Sequence, residues 1–155
     1  MKYYLDCEFD SWNGPLLSLG LVREDRESLY LVYVRNCAAI KEQWVKTNVE
    51  PILWSVPSPM PGMAYKIMDN NSGAHAIGGF LHGDDSPTIV ADWPDDIAYF
   101  CKALITGPGM MIKTPDLKFE VRHVEAYPTD LPGAIQHNAY WDAKALWYYH
   151  HKHTL

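Results

Sequence analysis

The stretch Lys2-Tyr3-Tyr4-Leu5-Asp6-Cys7-Glu8-Phe9 decides how this chain is read. Its alternation puts Tyr3, Leu5, Cys7 and Phe9 on one face and Tyr4, Asp6 and Glu8 on the other, which is the period of a β-strand. Asp6 and Glu8 therefore leave the same face of a strand that is otherwise apolar and belongs near the centre of a sheet. Burying one bare carboxylate is costly, and a second within reach raises the cost. Two explanations stand: that face is wet, as in many antiparallel sheets, or a cation joins the pair. Hard Mg²⁺ or Mn²⁺ prefers such oxygen ligands.

Working outward, Asn13-Gly14-Pro15 is a turn signal between this strand and a second over residues 16–22, with a third over 28–34. Residues 39–49 carry a helical pattern that Pro51 ends. Residues 55–62 hold Pro57, Pro59 and Pro61 and read as a loop. A short helix is expected over 74–81, a buried strand over 88–91 and a helix from 93 to about 105, stopped by Gly107-Pro108-Gly109. A strand over 119–124 and a helix over 138–149 complete the pattern, with residues 150–155, including His150, His151 and His153, as a solvated tail. Strands first, then strand–helix alternation, predict an α/β fold with a mixed sheet, an antiparallel meander followed by parallel strands, flanked by helices.

At 155 residues the expected organisation is one domain over 1–155. With 48% hydrophobic and 21% charged residues, the composition excludes disordered and coiled-coil classes. No apolar run approaches the roughly 20 residues of a bilayer span, and acids interrupt the N-terminus where a signal peptide would be apolar. Neither secretion nor a membrane partner is expected. Thirteen Lys and Arg against nineteen Asp and Glu leave a net charge of −6. That balance argues against gripping long duplex DNA by phosphate neutralisation. It is compatible with a nucleic-acid enzyme whose local positive charge comes from bound metal. Three cysteines without a CxxC pair fit small buried hydrophobes in a reducing, cytoplasmic compartment.

Two further groups of acids stand out. In Asp92-Trp93-Pro94-Asp95-Asp96, Asp92 is placed to cap a helix, with Pro94 in its first turn. Trp93, Ile97, Phe100 and Leu104 form one apolar stripe. Asp96 borders it, while Asp95 lies opposite as a solvated acid. An inward Asp96 is either an acid favoured by the helix dipole or a ligand. In the last helix, Asp142 shares a stripe with Ala139, Ala143, Leu146 and Tyr149, an unfavourable place for a mid-helix Asp. His137 precedes that helix, where a general base could turn towards a bound water. Together these residues bring four inward carboxylates and a histidine to the ends of separate elements. Two cations bridged by acids, with a base beside them, is the arrangement that cleaves phosphodiesters.

Asp6-x-Glu8 on an apolar strand, an Asp in the first turn of a middle helix and His137-x-x-x-x-Asp142 resemble the DEDDh 3′→5′ exonucleases, built on a ribonuclease-H-like fold. Trp44-Val45-Lys46-Thr47-x-Val49, residues 17–22 and His137-x-Ala139-x-x-Asp142-Ala143 resemble segments of the compact RNase T-like exoribonucleases of bacteria and phages. The resemblance implies that Asp6, Glu8, Asp96 and Asp142 hold two Mg²⁺ or Mn²⁺ ions, that His137 is the general base, and that the product is a nucleoside 5′-monophosphate. The family's middle motif has an aromatic residue before its Asp, and here that position is Asp95. Asp92 and Asp96 both stay open as the ligand, with Asp96 at the family's position. Trp12, Trp93 and Tyr140 are the aromatics placed to stack on bases. The implied partner is the 3′ end of single-stranded RNA or DNA, with RNA favoured by the subfamily, and homodimers are common among its members. A non-catalytic nucleotide-binding module, a structural subunit of a nuclease or replication assembly and a DNA-specific exonuclease are the alternatives.

Overall fold

Eight alternating residues make β1 (Lys2–Phe9), whose odd positions face one layer of helices and whose even positions face another. A computed structural model describes residues 1–124 and 130–152 of the chain. β1 is followed by β2 (Leu16–Arg23), β3 (Ser28–Tyr33), the short helices α1 (Val34–Cys37) and α2 (Gln43–Asn48), and a 3₁₀ turn at Glu50–Ile52. Then come β4 (Gly62–Ile67), α3 (Asn70–Leu81), β5 (Thr88–Ala91), α4 (Pro94–Ala103), a small hairpin of β6 (Ile105–Gly107) and β7 (Met110–Met111), β8 (Lys118–Val121) and α5 (Ala139–His151).

Six strands form one sheet in the order β4-β3-β2-β1-β5-β8. β1, β2 and β3 are antiparallel neighbours, whereas β4 joins β3, β5 joins β1 and β8 joins β5 in parallel. This is the expected mixed sheet flanked by helices, consistent with a ribonuclease-H-like α/β fold. On one face Tyr3, Leu5 and Cys7 pack with Ile77 and Leu81 of α3 and Phe100 of α4. On the other, Tyr4, Val22 and Val90 pack under Ala143, Leu146 and Trp147 of α5. Asp6 and Glu8 belong to this second face, so the helix that covers it also decides what meets them.

Several expectations are corrected. The helix expected over 39–49 is shortened to α2, Gln43–Asn48, because the buried Asp10 carboxylate takes the backbone N–H groups of Lys41 and Glu42 and keeps them out of the helical ladder. Residues 62–67 are a strand on the open edge of the sheet, and four of the six are exposed, so burial leaves no alternation to read. α3 starts four residues early, capped by Asp69, whose carboxylate accepts from the Ser72 amide. α4 ends at Ala103, short of the expected end near 105, and the chain turns at once into the β6–β7 hairpin. β8 stops at Val121. His150 and His151 form the last turn of α5 with their rings against Tyr4, not a solvated tail, while His153 lies outside the described residues. Of the cysteines only Cys7 is buried; Cys101 is exposed. No helix among the described residues is long and apolar enough to cross a membrane.

Candidate metal centre

β1 reaches past β5. Its parallel pairing with β5 covers only Lys2, Tyr3 and Tyr4, so the β5 side of Cys7 is left to other groups. Asp96, in the first turn of α4, fills the gap: its Oδ1 accepts the Cys7 backbone N–H at 3.2 Å. The same bond fixes the Asp96 carboxylate beside Asp6. Asp92, the first residue after β5, reaches the same place, and carboxylate oxygens of Asp6, Asp92 and Asp96 all lie within 4.8 Å of one another.

A second trio stands next to the first. One ligand atom each of Glu8, His137 and Asp142 again lies within 4.8 Å of the others. α5 brings two of them. Its N-cap Asn138 accepts from the amides of Tyr140 and Trp141 through Oδ1, and its Nδ2 donates to the Ile52 carbonyl at 2.9 Å. The Asp142 Oδ2 accepts the His137 backbone N–H at 2.9 Å. His137 itself sits at φ +65°, a left-handed conformation that a non-glycine residue holds only where its surroundings impose it.

The electrostatics of the cluster are those of unneutralised acids. Burial, reinforced by Asp96, Asp142 and Glu8, drives the Asp6 carboxyl well above its usual range. Burial and the charge of Asp142 push Glu8 up to about 8. Burial and Asp92 push Asp96 to about 8. Burial lifts Asp142 to about 7 against the opposing pull of the His137 amide. Asp92 is raised by burial as well. Burial moves His137 the other way, below the ordinary histidine value. The Asp6 Oδ2 is buried with no hydrogen-bond partner among the described residues. An orphaned carboxylate oxygen, five crowded acids and all-oxygen ligands beside one imidazole fit hard divalent cations such as Mg²⁺ or Mn²⁺. Each trio offers ligand atoms that could hold a metal ion.

The structure thus brings Asp6, Glu8, Asp96, His137 and Asp142 to one place, as expected. Three expectations change. Asp92 is not a helix cap: Trp93 occupies the N-cap position of α4 without a side-chain hydrogen bond, and the Asp92 carboxylate joins Asp6 and Asp96. Tyr140 does not offer a stacking face, because its ring is wholly buried between Tyr30 and Trp141 in the core. Trp93 leaves the apolar stripe of α4; it is 52% exposed, with its ring beside His123 and its Nε1 donating to Asp95. Trp12 is 80% exposed at the β1–β2 turn and is free to meet a ligand.

Asp10 escaped the sequence reading, and Trp44 entered it only within a quoted segment, not as a site residue. Asp10 continues the alternation of Asp6 and Glu8 and is 3% exposed, a signal that was there to be followed. Trp44 meets the His137 ring edge to face, and nothing in the local sequence around either residue announces that contact. No protein-family model and no curated protein sequence matches this chain.

Proposed function

We propose that this chain is a metal-dependent 3′→5′ exonuclease that removes nucleoside 5′-monophosphates from the 3′ end of single-stranded nucleic acid, RNA in preference to DNA. The observation that carries the reading is the pair of trios, Asp6–Asp92–Asp96 and Glu8–His137–Asp142, joined through two acids on one face of β1. The order of motifs resembling the DEDDh exonucleases supports it, and the net charge of −6 favours short or single-stranded substrates.

Asp6, Asp92 and Asp96 would hold one divalent ion and Glu8 and Asp142 the other. Two such ions, when bound, supply Lewis-acid activation of water and charge stabilisation at a scissile phosphodiester. His137, whose neutral form is favoured by its burial, accepts a proton at a ring nitrogen from the attacking water. Asp142 holds the His137 backbone, so base and ligand arrive together from the start of α5. Trp12 and Trp93, exposed on the loops that follow β1 and β5, offer ring faces for bases, each worth about 1–3 kcal/mol.

The test is digestion of 3′-labelled and 5′-labelled single-stranded RNA and DNA with Mg²⁺, Mn²⁺ or EDTA. The 3′ label is expected in a mononucleotide at the earliest times, while 5′-labelled strands shorten stepwise, RNA faster than DNA. Binding without turnover in either metal would replace this reading with a nucleotide-binding module.

A further inference from the structure

We propose that Trp44 is a positioning residue for His137 and that Asp10 anchors it; this inference rests on His137 being the base of the exonuclease reading. The chain of contacts starts just beyond the end of β1. Two residues beyond Glu8, the buried Asp10 carboxylate accepts the amide of Lys41 at 2.8 Å and that of Glu42 at 3.0 Å. Those bonds hold the start of α2 against the end of β1. Glu42 is the N-cap of α2, accepting from the Trp44 amide, and Val45 anchors the helix in the core. Trp44, on the first turn, is 51% exposed, yet its ring stands 5.0 Å from the His137 ring at 85°.

His137 needs such a wall. Its backbone is fixed at φ +65° by the Asp142 bond, while its imidazole projects from a residue outside any helix or strand. An imidazole with free rotation about its side-chain bonds spends part of its time turned away from Glu8 and Asp142. An edge-to-face aromatic neighbour removes those orientations at little cost. β1 and the residue that follows it therefore serve the centre twice: Asp6 and Glu8 enter it directly, and Asp10 reaches it through Trp44. A half-exposed tryptophan at a nucleic-acid site also suits base stacking, and the two roles separate cleanly in kinetics.

The experiment compares Trp44→Ala, Trp44→Phe, His137→Ala and the double variant Trp44→Ala/His137→Ala in the full chain with a short RNA. A misplaced catalytic group loses about ten- to a hundredfold in rate. Trp44→Ala should therefore lower kcat by that factor with KM within about twofold, and Trp44→Phe, which retains a ring, should restore most of it. In the His137→Ala background Trp44→Ala should cause no further loss, since residues acting through one another are not additive. A raised KM with unchanged kcat, or losses that multiply in the double variant, would overturn the proposal and make Trp44 a substrate contact. A readout independent of turnover uses ¹³C-histidine-labelled, metal-free protein. Trp44→Ala should shift the ring resonances of His137, assigned by their loss in His137→Ala, and leave the other histidines in place. An unmoved His137 signal overturns the contact. A wild-type protein that hydrolyses nothing overturns the exonuclease reading and the catalytic role of the contact together, and the resonance shift alone then shows whether the two rings meet.

Discussion

Gly20 is the register partner of Asp6, and the start of α5 lies directly on it. A side chain on Gly20 would collide with the Ala139 carbonyl, which belongs to the first residue of α5. The missing Cβ lets the helix approach β2 closely enough for Asp142 to join Glu8. Gly20→Ala should therefore push α5 outward, destabilise the fold by about 1–3 kcal/mol as overpacking does, and weaken metal binding by separating Asp142 from Glu8. Thermal unfolding with and without Mn²⁺ reads both effects. An unchanged Tm with an unchanged response to Mn²⁺ would show that α5 docks without needing the space.

Metal should stabilise this protein more than is usual for an ordinary surface site. Without a cation, the folded state confines several acids that the unfolded chain would separate. An ion bound only by the folded state adds about 2.7 kcal/mol at a hundredfold excess over its Kd. Asp6→Asn should raise the Tm in EDTA by removing a buried ionisable group, and should lose most of the increment from Mn²⁺ and all turnover. A variant less stable than the wild type in EDTA would mean that Asp6 is a structural group rather than a ligand.

The pH dependence of the metal-free protein has a definite sign. Glu8 and Asp96 are raised to about 8 and Asp142 to about 7, chiefly by burial. In the unfolded chain such groups titrate near 4. Between roughly pH 4 and pH 8 the folded state thus binds more protons than the unfolded one, and stability falls as pH rises. The contribution is complete below the unfolded values and lost as pH passes the folded ones. Protons and cations compete for the same oxygens, so saturating Mn²⁺ should oppose the loss at pH 8. Tm measured from pH 5 to pH 8.5 in EDTA should fall; a rise across that window would contradict the crowding of acids.

Much of this fold was legible because its central elements have a one-sided environment. β1 alternates since α3 and α4 cover one face and α5 the other, and α4 shows its period through Ile97 and Phe100. β4 was illegible because an edge strand that is mostly exposed needs no pattern. The centre was visible wherever a carboxylate sat on an apolar face, as with Asp6, Glu8, Asp96 and Asp142. Its remainder depends on contacts between distant segments. Helical periodicity tells which side of α5 carries Tyr140, but not that Tyr30 and Trp141 close over it. Trp44 against His137 and Asp10 against the start of α2 arise only when the chain folds back on β1.

Asp92 and Asp96 offer the sharpest division of labour to test. As a cap, Asp92 would tolerate Asn, which caps a helix about as well as Asp. It is no cap here; its carboxylate lies with Asp6 and Asp96, and its change to an amide removes a charge from that trio. Asp92→Asn should therefore lower Mn²⁺ affinity and cut turnover, with little change in Tm in EDTA. Asp96→Asn should do the same more severely, because its Oδ1 also accepts the Cys7 amide and orients the carboxylate towards Asp6. Both should leave the Glu8–His137–Asp142 trio able to bind. Calorimetric titration with Mn²⁺ should show two ions on the wild type, one on either variant, and the opposite remaining ion on Glu8→Gln. Two ions and full turnover in Asp92→Asn would leave Asp96 and Asp6 as the sole ligands of that trio and Asp92 a bystander.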